Sequence, residues 1–465
     1  MIQLVIKNDS WSRIRKWMLC DGNEHLAFIL VEFERTGKNI FLLEKEVIIV
    51  EDDELQNNGE YGLELKLPSL IKIMNLATRT NSILVEIHSH PFSYHGVDFS
   101  SMDNSGQKNM MTYLKEAVAA KVYAALVAGS ESVKGHLLFS NQQKPQTIDR
   151  IRIVGPNSVF LCADGKNFNN SELNENETYQ RQALALGAQG NKSIQSVKAG
   201  VVGLGGIGSI VSQQLAHLGV SEITYIDDDI LEKSNLHRVV GASVADVGKA
   251  KVDIASRNAK KINSQIKTKP ILGNVRAKEC LEALKNCDVI FGCMDTDSGR
   301  LILAELANAY LIPYIDAAVG IIVENGHIAE AGGRIHVWTP DKACLNCANE
   351  IDMRVAAEEL ESAQEMAFRK RHGYVVGAHV PEPAVISLNG TVASMAVTEY
   401  LCMFSGIRPC RNYTHYDFME QKAFQRNVNQ KEGCVICGSQ AKGAKTNLER
   451  YARVGLPTDI PLPLH

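Results

Sequence analysis

Residues 199–238, AGVVGLGGIGSIVSQQLAHLGVSEITYIDDDILEKSNLHR, decide how the chain is read. Ala199 to Val202 is an apolar run too short for a helix, and Gly203, Gly205, Gly206 and Gly208 follow it in the order GxGGxG. Glycine lets a backbone turn tightly and come close to a phosphate, while the helix that follows offers free N–H groups and a positive dipole end to an anion. A second strand, Glu222 to Ile226, leads into Asp227, roughly 20 residues past the glycines, where an acid that holds a ribose is expected. Alone, GxGGxG also fits a strand-to-helix turn without a nucleotide; the placement of Asp227 favours a nucleotide site.

Working outward, the 465 residues suffice for two or three domains, and 45% apolar content supports ordinary cores. A net charge of −4 argues against a nucleic-acid partner held through its phosphates. No stretch approaches 18 uninterrupted apolar residues, so no membrane partner is expected. Met1 to Lys7 reads as a strand rather than a signal peptide, which predicts a cytoplasmic protein. Eleven cysteines, an odd number, point to thiols and metal sites instead of a disulfide framework.

Downstream of the glycines come Asp227-Asp228-Asp229, Ser234-Asn235-Leu236-His237-Arg238, Gly248-Lys249-Ala250-Lys251 and, after the apolar run Val289 to Gly292, Cys293-Met294-Asp295. This order of motifs, over roughly residues 175 to 440, resembles the ThiF/MoeB adenylyltransferases, which include the nucleotide-binding half of ubiquitin-activating enzymes. The resemblance implies a Rossmann-like, mostly parallel sheet and ATP with Mg²⁺ as cofactors. Carried onto this chain, Asp227 would hold the ribose, Asn235, Arg238 and Lys251 the phosphates, and Asp295 the magnesium, with Asp229 counted among the binding residues. Tyr179-Gln180-Arg181-Gln182 is similar to the family's YxRQ segment, so Arg181 would reach the phosphates, commonly from the other subunit of a homodimer. Carboxylate attack on an α-phosphate needs cations at the developing charge and no general base, which suits these residue types. Each charged residue singly reads as a solvated surface group.

The N-terminal region alternates strands and helices on its own account: strands at Leu26 to Phe33, Ile40 to Leu43 and Glu46 to Val50, a helix at Pro68 to Ala77, and a strand at Ile83 to Ile87. That last strand runs into His88-Ser89-His90-Pro91, and Ser100-Ser101-Met102-Asp103 follows. Two histidines two positions apart on an extended segment point to one side, and with Asp103 they supply three zinc ligands, leaving the fourth place to water. Such a zinc lowers the pKa of bound water toward about 7. The pattern resembles the JAMM/MPN metalloproteases, HxH…SxxD, which process or deconjugate ubiquitin-like proteins, although nine residues separate His90 from Ser100 where the family usually has seven. The resemblance makes Ser100 an oxyanion donor and Glu24 the proton acceptor; Glu44, Glu46 and Glu86 are alternatives to Glu24. The bland alternative is a turn with surface histidines.

A helix and a strand over Met110 to Ala128, a hairpin over Ser130 to Phe139 and an edge strand at Ile151 to Val154 are expected to complete this α/β domain. Residues 163–178, ADGKNFNNSELNENET, are polar and read as a linker. The expected division is a JAMM/MPN domain at 1–160, a linker at 161–176, the adenylyltransferase domain at 177–445 and a tail at 446–465. Within the third part, helices at Glu177 to Gln189, Lys249 to Lys261 and Arg300 to Ala309 alternate with strands at Val289 to Gly292, Tyr314 to Val319 and Gly332 to Thr339.

Cys344-Leu345-Asn346-Cys347 and Cys434-Val435-Ile436-Cys437 form two CxxC pairs with 86 residues between them. Four such cysteines predict a closed structural zinc site, which the ThiF/MoeB resemblance also implies; a redox pair is the alternative. Relatives that pass a ubiquitin-like protein onward as a thioester carry a cysteine after the first CxxC, yet 348–390 contains none. That stretch reads instead as a charged helix, Met353 to Arg371, followed by His372-Gly373-Tyr374-Val375-Val376-Gly377, and Cys402 beyond it reads as core packing. The chain is therefore expected to adenylate the C-terminal carboxylate of a ubiquitin-like protein and to trim or deconjugate it, with a conjugating enzyme as a further partner. The alternatives are adenylation of a carrier protein or peptide in sulfur, cofactor or antimicrobial biosynthesis, and a scaffold with one half inactive.

Overall fold

A computed structural model describes residues 1–59, 62–94, 96–166, 177–361, 383–438, 448 and 450–453. The chain divides into two compact units, Met1–Glu175 and Asn176–His465. No helix among the described residues is long and apolar enough to cross a membrane.

The first unit is a nine-stranded sheet. Its strands are β1 (Ile2–Lys7), β2 (Leu26–Thr36), β3 (Asn39–Ile49), β6 (Ile83–Ser89), β7 (Val122–Ala128), β8 (Val133–Phe139), β9 (Gln146–Thr147), β10 (Arg150–Val154) and β11 (Val159–Cys162), in the order β11-β10-β1-β3-β2-β6-β7-β8-β9. A separate hairpin pairs β4 (Leu55–Gly59) with β5 (Gly62–Leu65). Both faces of the sheet are covered, which is why LAFILV in β2 is continuously apolar rather than alternating. Ala27, Ile29 and Val31 join Trp11, Ile14 and Met18 of α1 (Asn8–Met18). Leu26, Phe28 and Leu30 pack on the other side with Ile73 and Met74 of α2 (Leu67–Arg79) and Met111 and Leu114 of α3 (Ser101–Val118).

Three sequence expectations change here. The strands expected at Ile40 to Leu43 and Glu46 to Val50 are one strand, β3, whose pairing with β2 shifts between Leu30 and Val31. The strand at Ile151 to Val154 is interior, paired with both β1 and β11. The helix α1 was not expected, because its core side is only Trp11, Ile14 and Met18 among polar residues.

The second unit carries an eight-stranded sheet ordered β14-β13-β12-β15-β16-β17-β18-β19. Its elements are α4 (Gln180–Ser196), β12 (Lys198–Val202), α5 (Gly206–Leu218), β13 (Glu222–Asp227), α6 (Lys251–Ile262), β14 (Lys267–Leu272), α7 (Lys278–Leu284), β15 (Val289–Gly292), α8 (Asp297–Tyr310), β16 (Tyr314–Glu324), β17 (His327–Trp338), α9 (Met353–Glu359), α10 (Ile386–Ser405), β18 (Tyr413–Asp417) and β19 (Lys422–Gln425). The five strands from β14 to β16 are parallel, and β17 to β19 extend the sheet antiparallel. From β12 the chain builds outward through β13 and β14, then returns to place β15 on the other side. That reversal opens a crevice at the carboxyl ends of β12 and β15. The apolar α10 lies along α4 and α5, and Tyr400 on it donates to Ile194 O at 3.0 Å.

The helix expected from Glu177 is a short turn continuing into α4, which breaks at Gly187. The charged helix expected over Met353 to Arg371 is described only as α9, and His372 to Gly377 lie outside the described residues. Most of the expected linker 161–176 and tail 446–465 also fall outside them. Cys402 is buried in α10, as packing requires.

Candidate nucleotide site and metal clusters

The glycine turn sits at the mouth of the crevice. Gly203 has a φ of +84°, and a Cβ there would lie 2.6 Å from Cys293 O. A Cβ on Gly208 would stand 1.8 Å from Gly203 O, and one on Gly206 2.1 Å from Asn389 Nδ2. Gly203 and Gly208 admit only glycine because the backbone itself fills the space, while a side chain at Gly206 would displace the Asn389 amide. Gly205 differs: nothing lies within 4 Å of its Cβ position, so its open side is room for something else. Hydrogen bonds from Gly203 N to Ile226 O (2.9 Å) and from Cys293 N to Val202 O (2.8 Å) lock the turn between the ends of β13 and β15.

Asp227 ends β13 under this turn, 8% exposed, and its carboxylate accepts from Leu204 N–H and from Asp229 N–H at 2.8 Å. Burial pushes its pKa up to about 6, against the lowering effect of Lys251. Lys251, itself only 7% exposed, places Nζ 2.5 Å from Asp229 Oδ2 and lines a cavity of about 10 Å³ with Leu204, Ser209 and Val240. Arg238 lies against the turn, its Cδ 3.5 Å from where a Gly206 Cβ would be. Asn235 precedes it in the same tight turn and accepts from Glu232 N–H at 3.1 Å, while Val240 N–H donates to Ser209 Oγ (3.0 Å) and ties this loop to α5. Asp295 is exposed on the segment after β15, one residue beyond Met294, whose Cγ lies 3.1 Å from the Gly203 Cβ position. Asp227, Asp229, Arg238 and Lys251 thus lie about the turn, with Asn235 three residues before Arg238 and Asp295 one residue past Met294.

Arg181 does not join them. It is exposed on α4, and its neighbours hold the far end of α5: Gln182 donates to Leu218 O at 3.1 Å, and the Tyr179 ring occupies the side-chain space of Gly219. With 13 residues, α5 separates that end from the glycine turn by about 20 Å. Tyr179 and Gln182 of YQRQ are therefore anchors, while Gln180 and Arg181 are exposed.

Sequence reasoning missed a buried charge network beside the crevice. Asp316 of β16 is in register with Gly292 and accepts from Tyr314 OH (2.8 Å) and Arg334, while Arg300 Nε stands 3.9 Å away. Arg334 continues to Glu350 (2.9 Å), which accepts from Tyr413 OH. Burial alone would raise the Asp316 pKa; Arg334 and Arg300 overcome it and hold the carboxyl below its ordinary value. Strand pairing, α8 and the segment after β17 bring these residues together from far along the chain, so no local motif marks them.

Cys344, Cys347, Cys434 and Cys437 converge, with Sγ–Sγ distances of 3.8 Å (344–347), 3.7 Å (344–434) and 3.5 Å (347–437). A regular tetrahedron of zinc–sulfur bonds of about 2.3 Å has edges of about 3.8 Å, so the four sulfurs fit one zinc ion. Asn346 Nδ2 and Lys431 N–H donate to Cys434 and Cys347 sulfurs at 3.5 and 3.3 Å, the outer hydrogen bonds that thiolate ligands attract.

In the first unit, His88, His90 and Asp103 also converge. His88 Nε2 lies 3.5 Å from Asp103 Oδ1, and His90 Nε2 lies 3.5 Å from both Asp103 Oδ2 and Glu24 Oε1. Zinc bonds of about 2.1 Å to nitrogen and oxygen predict ligand–ligand edges of about 3.4 Å, so this set fits as well. The histidines are buried, which removes the reading of HSHP as a turn with surface histidines. Ser100 caps α3: its Oγ accepts from Asp103 N–H (3.1 Å), and its own N–H donates to Asp103 Oδ2 (2.6 Å), which fixes the aspartate. Burial opposes the ionised Asp103, but the two histidines outweigh it and hold its pKa well below the carboxylate range. Among the candidate glutamates, Glu44 accepts from Lys7 N–H and Ser10 OH, Glu86 accepts from Tyr123 OH, and Glu24 is the one that faces His90. Burial raises the Glu24 pKa against the pull of His90 and His88.

The model of the ThiF family matches residues 179–436, and the chain belongs to that family. Among curated relatives, the adenylyltransferase and sulfurtransferase UBA4 of Eremothecium gossypii is 26% identical over 291 residues, covering 60% of this chain and 59% of that protein. The SAMP-activating enzyme E1 of Haloferax volcanii is 29% identical over 173 residues, 37% of this chain and 61% of that one. The molybdopterin-synthase adenylyltransferase of Escherichia coli is 26% identical over 274 residues, 58% of this chain and 99% of the relative. The chain spans about 60% of the length of the first two.

Proposed function

We propose that the second unit adenylates the C-terminal carboxylate of a ubiquitin-like protein. The observation that carries this reading is the placement of Arg238 and Lys251 by a glycine turn whose Gly205 side is open, with Asp295 next in the chain to Met294 at that turn. The backbone N–H groups of the turn and α5 would cradle phosphates, Asp227 would accept from ribose hydroxyls, and Lys251 and Arg238 would stabilise charge as the carboxylate oxygen bonds to the α-phosphorus and pyrophosphate leaves. Asp295 would hold Mg²⁺, which neutralises phosphate charge. The names of three relatives, two adenylyltransferases and an activating enzyme, support the same chemistry. Because Arg181 stands a helix length from its own turn, its role in the reaction requires a second protomer, which favours a homodimer.

In the first unit, the fit of His88, His90 and Asp103 to zinc, with Glu24 facing the same space, supports a JAMM-type peptidase. Zinc there would lower the pKa of water, Glu24 would take its proton, and the Ser100 hydroxyl, which keeps its own proton to donate, would face the scissile carbonyl oxygen. Such a unit would trim or deconjugate the tail that the second unit activates, before a conjugating enzyme receives it. A second reading, adenylation of a carrier protein or peptide for sulfur, cofactor or antimicrobial synthesis, is favoured by the absence of any cysteine in 348–390.

Mass spectrometry of the protein incubated with ATP and candidate carrier proteins tests both readings. A carboxyl-adenylate on a ubiquitin-like carrier supports the first, and an adenylate confined to a biosynthetic carrier or peptide supports the second. No adenylate on any carrier overturns both. For the first unit, C-terminally extended carriers should be shortened by the protein and left intact by His88→Ala; cleavage that survives this change and chelation contradicts a zinc peptidase.

A further inference from the structure

The loop from α1 to β2 carries Cys20, Asp21 and His25, which the sequence reading passed over. Cys20 Sγ lies 3.2 Å and Asp21 Oδ1 3.0 Å from one and the same atom, His25 Nε2. An imidazole nitrogen has one proton or one lone pair, so it cannot satisfy a thiol and a carboxylate together. The ring is 1% exposed and held in place: it packs on Trp17 with centroids 4.6 Å apart, and its backbone exchanges hydrogen bonds with Ser89 (2.8 and 3.0 Å). Its other nitrogen, Nδ1, is buried without a hydrogen-bond partner and faces Asp52 Oδ1 at 3.9 Å.

We infer that Cys20, Asp21 and His25 form a third metal site, built for a zinc-class divalent cation. Sulfur, nitrogen and oxygen converge from three side chains within 4.8 Å of one another, and the two contacts to His25 Nε2 reach the edges of about 3.4–3.6 Å for tetrahedral zinc by opening a few tenths of an ångström. A carboxylate on the far nitrogen of a ligating histidine is the usual outer partner, and the Asp52 carboxylate stands on that side, 3.9 Å from Nδ1. Binding releases the Cys20 thiol proton to solvent, and Cys20 and Asp21 then supply two negative charges against the cation's two positive ones. A nucleophilic role for Cys20 fits less well: the neighbouring carboxylates of Asp21 and Asp52 disfavour a free thiolate until a cation arrives. Cys20 and Asp21 are exposed, so the ion would be exchangeable, unlike the one enclosed by four cysteines.

Its position gives the site a consequence. Glu24, one residue before His25, faces His90, so an ion tying Cys20 and Asp21 to His25 would hold the loop that presents Glu24 to the His88 cluster. That consequence rests on the peptidase reading; metal binding at Cys20 does not.

Zinc content per chain, measured on the full-length protein after equilibration with zinc chloride and removal of free ion, tests the inference. Cys20→Ser and Asp21→Asn change exposed side chains and are expected to lower the content by one zinc, in the natural background and in His88→Ala alike. The second background keeps the test independent of the His88 site, since the loss at Cys20 is expected whether or not that site holds zinc. Alkylation supplies a second reading: zinc should slow modification of Cys20 about tenfold or more while leaving exposed Cys162 unaffected. Unchanged zinc content in both variants, with Cys20 and Cys162 alkylated alike with and without zinc, overturns the site.

Discussion

The glycine turn and the His88 cluster both sit at the carboxyl end of a strand with a parallel neighbour, β12 beside β15 and β6 beside β7, yet they are built in opposite ways. At the turn, selectivity comes from missing atoms: Gly203 and Gly208 are forced by the chain's own backbone, Gly206 faces the Asn389 side chain, and Gly205 leaves open space. At the His88 cluster it comes from side chains that a strand end and a helix start deliver to one point, with Ser100 locking Asp103. A backbone site should therefore fail through packing, and a side-chain site through loss of any one of those side chains.

The sharpest way to break this comparison is to remove a cation from the backbone site. Lys251→Ala is expected to slow ATP–pyrophosphate exchange by about 10²–10³, the range for a preorganised charge at a developing negative centre; a change under threefold would move the phosphates elsewhere. A smaller effect separates two kinds of glycine. Gly208→Ala drives a Cβ to 1.8 Å from Gly203 O and should lower unfolding stability by about 1–3 kcal/mol, read from thermal or urea unfolding. Gly205→Ala should leave stability within about 0.5 kcal/mol and weaken ATP binding by about tenfold, since it fills only the open side.

The smallest effect is the pH dependence of Asp227. Its pKa is raised from an ordinary 3.8 to about 6 in the folded protein, so folding takes up a proton between these values, and stability from this group falls as pH rises from about 4 through about 6. Nucleotide affinity should run the other way, rising a few-fold as the carboxylate forms above pH 6 and accepts from ribose hydroxyls. Titration calorimetry across that range, with Asp227→Asn losing the trend, checks the sign.

Much of this was legible because the signals are local. GxGGxG, the acid after the next strand and the CxxC pairs each lie within one turn or one strand, apolar runs placed β6 and β15, and the glycine motif placed α5. What escaped depends on partners far along the chain. Asp316 meets Arg334 only through the antiparallel pairing of β16 with β17, and α1 is a helix because three apolar residues find the sheet. Arg181 matched its motif yet stands at the end of α5 away from the glycine turn, since spacing fixes sequence neighbours but not distance from the site. His25 was passed over because it looks like the polar start of an apolar strand; its meaning lies in the ring's burial and the two groups aimed at it.

Exchange of labelled pyrophosphate into ATP, driven by peptides that copy a ubiquitin-like tail, tests the central claim most directly. Peptides ending in a free carboxylate should support exchange, and the same peptides ending in an amide should not. Exchange that ignores the peptide terminus, or ATP turned over to ADP and phosphate instead, would contradict an enzyme that adenylates a protein's C-terminal end.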